Sequence, residues 1–102
     1  MTDQIGERVS VNTSASGDTL LLAAEVGTVW EVTRVSLISD LANTIKVNDG
    51  VVNILGPYQA TARFALALDG RWTSGGANRA LNLNLVVAAL VTGEVWVRKR
   101  RI

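Results

Sequence analysis

The feature that most limits what this chain can fold into is its punctuation. Gly, Asn, Asp and Ser recur at Ser14 to Asp18, Asp49–Gly50, Gly56–Pro57, Asp69–Gly70, Ser74 to Asn78 and Gly93. The segments between these marks are short and rich in residues that favour strands, so the chain reads as a series of β-strands joined by turns.

Strand by strand, the pattern is specific. Glu7 to Thr13 alternates, with Val9 and Val11 on one face and Arg8, Ser10 and Asn12 on the other, the period-2 signature of a half-buried strand. Asp18 to Ala24 is an apolar run, Glu25 to Gly27 a turn, and Val29 to Leu37 a β-branched strand carrying Trp30. Leu37 to Ile45 has apolar residues at helical spacing beside turn-formers, and is expected to be a loop with room for one helical turn. Asn48-Asp49-Gly50 separates two β-prone runs and predicts a hairpin with positive φ. Pro57 is expected to break the ladder, Ala62 to Leu68 to resume it with Phe64, Leu66 and Leu68 in phase, and Asp69–Gly70 to end it. Leu81, Leu83 and Leu85 alternate with Asn82 and Asn84, and from Leu85 to Val91 every residue is apolar, which predicts a region covered on both sides. Gly93 reads as a turn before a last strand, Glu94 to Ile102. About eight short strands in one domain of 102 residues predict an all-β, antiparallel β-sandwich of jelly-roll type. Residues 1–6 are a candidate N-terminal arm and 98–102 a basic C-terminal tail.

Composition narrows the chemistry. With no Cys and no His the chain lacks a thiolate nucleophile, a disulfide, and the commonest metal ligand and general base. Asp40, Asp49 and Asp69 sit in turn contexts, where Asp is favoured for bonding the backbone rather than for glycoside hydrolysis. The spaced oxygen ligands of a calcium loop are missing around the two Asp-Gly steps. Thr73 to Asn78 (TSGGAN) lacks the Lys-Ser/Thr pair of a phosphate loop and reads as a flexible connection. The expectation is a protein with no enzymatic activity, no cofactor and no metal.

Binding is the remaining class. Apolar residues make up 48% of the chain and charged ones only 19%, a balance that suits a folded domain with a sticky surface. No apolar run approaches the roughly 18 residues that span a bilayer, so no membrane partner is expected. Met1 to Gly6 is polar and shows no secretory pattern, so a chain made and kept in a cytosol, or assembled there, is expected. Trp30, Trp72 and Trp96 are expected to pack in the core or at an interface, where they are the candidate anchors, rather than to form the platform of a carbohydrate-binding module, the alternative reading. Arg98, Lys99, Arg100 and Arg101 hold four of the ten basic residues and leave six against nine acidic ones elsewhere. With no matching basic stripe, this run is expected to be a solvated terminus or a salt-bridging arm, or to meet an acidic protein surface, rather than to bind nucleic acid.

Two stretches carry a resemblance: LLLAAEVGTVWEVTRVSLIS, a strand, a Gly turn and a long strand, and DGRWTSGGANRALNLNLVVAALVTGEVWV. In their order of features, with Gly70, Trp72, Gly76, Leu81 to Leu85 and Gly93 in matching places, they resemble the small jelly-roll virion structural proteins of tailed bacteriophages. The resemblance implies a homotrimeric capsid decoration or cement protein that binds the major capsid protein or other virion proteins, located in the virion after assembly in the host cytoplasm. A tail, neck or fibre component is the alternative within that group. It brings no active site with it.

Overall fold

A computed structural model describes residues 5–63 and 65–101 of the chain, with Ile5, Gly6 and Arg101 described by their backbone alone. Phe64, expected in phase with Leu66 and Leu68, lies outside the described residues, as do most of the candidate N-terminal arm and Ile102. Eight strands follow in order: β1 Ile5–Thr13, β2 Gly17–Leu22, β3 Thr28–Ser39, β4 Asn43–Asn48, β5 Asn53–Ala60, β6 Ala65–Thr73, β7 Leu81–Leu85 and β8 Val91–Arg101. They form two antiparallel four-stranded sheets, β1-β8-β3-β6 and β2-β7-β4-β5. First pairs with last, second with seventh, third with sixth, fourth with fifth. The chain is therefore one long hairpin wrapped into two layers, which is the jelly-roll arrangement. The result is elongated, 42 × 22 × 18 Å.

Alternation decides which side chains enter the core. In β7 Leu81, Leu83 and Leu85 are buried while Asn82 and Asn84 point out, and in β4 Ile45 and Val47 go in while Lys46 and Asn48 go out. Sheet one answers with Trp30, Val32, Val35 and Leu37 of β3 and Val91, Val95 and Val97 of β8. The inward series of β3 slips by one residue between Val32 and Val35, because the register of β3 against both neighbours shifts between Val32 and Arg34. Thr33 is the extra residue of this bulge, and its hydroxyl donates to the Trp96 carbonyl.

Several local expectations are corrected. Pro57 lies inside β5, after a cis Gly56–Pro57 bond; β5 is an edge strand, where a missing N–H is tolerated. The Leu37 to Ile45 stretch holds no helical turn: β3 runs on to Ser39 and β4 begins at Asn43. Asp69–Gly70 does not end its strand but sits in β6 opposite the β3 bulge. Gly93 is not a turn either. It lies within β8 at φ 143°, and an added Cβ there would run into the Ser36 carbonyl oxygen of β3, so glycine lets the two backbones approach.

Candidate interaction surfaces

Among the described residues no group of three or more acidic side chains is placed to hold a metal ion, and no pocket is enclosed. The chemistry of this molecule lies in its two ends and its two outer faces.

At one end the β4–β5 and β6–β7 loops meet on a single carboxylate, and the β2–β3 loop is tied to the second of them through Asn78. Asp49 follows β4 directly, on the inward side of Ile45 and Val47, and its side chain is fully buried. Its Oδ1 accepts the N–H groups of Val51 at 2.9 Å and Val52 at 2.8 Å, and its Oδ2 accepts the Gly75 N–H at 2.7 Å and Arg79 Nη1 at 3.0 Å. Burial by itself pushes the carboxyl up, but the three backbone N–H groups and the Arg79 guanidinium outweigh it and hold the group at about 2. The turn reading of Asp49 was therefore right in place and too small in scope. The same loop cluster binds β3: Ser74 N–H donates to the Trp30 carbonyl, the Trp30 N–H to Ser74 Oγ, and Asn78 links Gly27 to Thr28. The TSGGAN segment, expected to be a flexible connection, is instead tied at both flanks. Val26, Val51 and Val52 remain exposed at the tips of these loops.

The three tryptophans do not share a surface. Trp30 is 1% exposed and part of the core, so as an interface anchor it is corrected: it has no face to offer a partner. Its indole N–H finds no acceptor among the described residues. Trp72 is half-buried against the core at the β6 edge. Trp96 lies on the outer face of sheet one, with the Arg34 guanidinium 5.0 Å from its ring centroid. With Trp30 and Trp96 on opposite faces of one sheet, a three-tryptophan platform does not form.

The basic run is not a tail. Arg98 to Arg101 continue β8, the strand between β1 and β3, and pair with Glu31 back to Thr28 on one side; Arg98 and Lys99 also pair with Gly6 and Ile5. Lys99 Nζ meets Glu25 Oε1 at 2.9 Å and lies over the Trp30 ring, while Arg100 reaches the buried Glu31 at 3.5 Å. Removing a segment from the interior of a sheet breaks ladders on both sides, so the reading of this basic run as a tail is corrected for residues 98–101.

The other end is apolar. The connection from Leu85 to Val91, expected to be covered on both sides, leaves sheet two at Leu85 and rejoins sheet one only at Val91, so it caps the sandwich. Only Ala89 turns inward; Val86 is 60% and Leu90 50% exposed, beside Leu41 at 52%. This surface is held in shape by Asn43, whose buried side chain accepts the Val87 N–H and donates to the Val87 carbonyl, both at 3.0 Å. The Asp40 N–H donates to the Leu90 carbonyl at 2.9 Å, and the Ser39 hydroxyl to Leu41. These residues were missed in the sequence; the signal was there, in the loss of alternation after Leu-Asn-Leu-Asn-Leu.

The outer faces differ as well. Sheet one carries ion pairs, Arg8–Glu94 at 2.9 Å and Arg34–Asp69 at 3.5 Å. Sheet two carries amides: Asn48 and Asn84 both donate to Asp18 Oδ1, and Asn82 donates to Asn48. Those hydrogen bonds, from Asn84 first and then Asn48, draw the Asp18 carboxyl below its ordinary range.

No family model matches the chain, and no curated protein matches it. A solved structure of Bacillus endospore appendages, described as a novel family of disulfide-linked pili, superposes over 100% of this chain and 91% of that one at 13% identity with a TM-score of 0.46.

Proposed function

We propose that this chain is a non-enzymatic structural subunit of a phage virion, a homotrimeric capsid decoration or cement protein that stiffens the shell by packing against it. The observation that carries the reading is the apolar end built from Leu41, Val86, Val87 and Leu90. Several aliphatic side chains on loops whose backbone groups are already satisfied by Asn43 and by one another form a surface shaped before any partner arrives. Preorganised apolar surface of this kind loses little entropy on association and gains by leaving water. Aliphatic side chains held rigid at the end of a long axis suit a subunit that sits end-on upon a larger surface.

The test compares the wild-type chain with Val86→Ser combined with Leu90→Ser. Light scattering coupled to size exclusion should give a whole multiple of three times 10.9 kDa for the wild type, and capsids lacking the protein should bind it. The double variant should lose capsid binding while keeping its fold. Unchanged binding by that variant would remove the apolar end from the proposal, and copy number per particle, hundreds against few, separates a shell subunit from a tail component.

A further inference from the structure

Each sheet of an open sandwich has two edges, and proteins normally spoil them for pairing. Three of the four edges here are spoiled. β2 is short and its register shifts between Leu20 and Leu22. β5 shifts twice against β4 and contains Pro57, which has no N–H to donate. β6 is broken by the shift opposite Val32 and Arg34. β1 differs: its nine residues pair with β8 from Ile5↔Lys99 to Thr13↔Val91 without one irregularity. Its second edge has no strand beside it among the described residues.

We infer that β1 is a pairing edge whose partner is β1 of a second copy, joined antiparallel about a two-fold axis through Ser10. The occupant follows from the pattern of the strand. Side chains that oppose each other across an antiparallel pair share a face, so a two-fold perpendicular to the sheet pairs residues of like parity. With Ser10 on the axis, Val9 opposes Val11, Arg8 opposes Asn12 and Glu7 opposes Thr13. The apolar positions meet each other and each charge meets a neutral polar group. Moving the axis to Val9 sets Glu7 against Val11; moving it to Arg8 or Glu7 sets like charges face to face, which is destabilising. The pairing joins the two copies into one continuous eight-stranded sheet. It is independent of the apolar end, so it links neighbouring copies whatever surface they stand on.

The chain has no cysteine, so a single introduced thiol reports the axis directly. In Ser10→Cys the two thiols oppose each other at a Cα separation of about 4.5 to 5.5 Å, within disulfide range. In Asn12→Cys, on the same face, the two thiols are offset by four residues, about 13 Å along the strands, and out of reach. Under mild oxidation of the purified full chain, with the fold of each variant checked by circular dichroism, Ser10→Cys should convert almost fully to a disulfide-linked dimer and Asn12→Cys should lag at least tenfold. Equal crosslinking rates, or none in Ser10→Cys, overturn the inference. Faster crosslinking in Asn12→Cys does so too. The readout uses purified protein alone, so its failure leaves the capsid reading to be judged by its own test.

Discussion

The two ends of the sandwich are closed by different chemistry. At one, a buried carboxylate gathers three backbone N–H groups and a guanidinium, so two loops depend on a single charge. At the other, the neutral amide of Asn43 holds the capping loop with two hydrogen bonds and leaves aliphatic side chains outside. A charged junction is strong when complete and costly when cut, because each abandoned partner is left desolvated. A neutral clamp is weaker and fails more gently. The first end is built to hold the sheets together; the second is built to hold a surface in shape.

The largest expected effect comes from shortening the chain after Val97, which removes the part of β8 that closes sheet one at the charged end. Pairing is lost with both β1 and β3, and no cooperative melt should remain at 25 °C; a sharp thermal transition in the shortened chain would contradict the central placement of this segment. Next is Asp49→Ala, which strands Arg79 and three N–H groups at about 3 kcal/mol or more, lowering Tm by roughly 12 °C or more for a domain of this size. A drop under a few degrees would mean that water replaces the carboxylate with little cost.

The charged end should also respond to acid through Asp49. The folded Asp49 carboxyl titrates at about 2 against an ordinary 3.8, so protonation favours the unfolded chain. Its contribution of about 2 kcal/mol is fully present above pH 4 and fades as the pH falls towards 2. Urea melts across this range should show the loss in the wild type and lack that component in Asp49→Ala. A smaller effect is expected for Asn43→Ala, which removes the two hydrogen bonds of a buried neutral amide to Val87 and the one it accepts from the Thr44 N–H, about 1 to 2 kcal/mol. Smallest is the double change at Val86 and Leu90, within about 0.5 kcal/mol on stability because both side chains are exposed; a larger loss would place them in the core and erase the contrast between the ends.

The architecture was legible wherever one face of a strand is wet and the other dry. Glu7 to Thr13, Leu81 to Leu85 and the strand after Gly93 announced themselves by alternation, and eight such segments implied two layers. What escaped were places where one residue type serves two purposes. Glycine marks turns, but Gly93 and Gly70 sit inside strands, the first because a neighbouring backbone passes too close for a side chain and the second beside a bulge. The phase slip at Thr33 has no local signature, since any extra residue in a β-branched run looks like more strand. A block of basic residues reads as a solvated tail, although no turn residue separates Arg98 to Arg101 from the strand before them. Val86 to Leu90 looked like the driest part of the chain because hydropathy reports what water avoids, not which residues the connection leaves outside.

The position of β8 between β1 and β3 sets an order of events in the cell. During synthesis β1 emerges first, and the strand that belongs beside it emerges last, after some eighty residues have been added. Until then sheet one lacks its second strand and β1 waits with both edges open. Pairings this distant along the chain are slow to form, and a waiting, regular strand is the kind that finds the wrong neighbour. A stalled ribosome or a premature stop would therefore release a chain that is sticky rather than merely incomplete, so the sandwich closes only in a copy that has been read through to the end of β8.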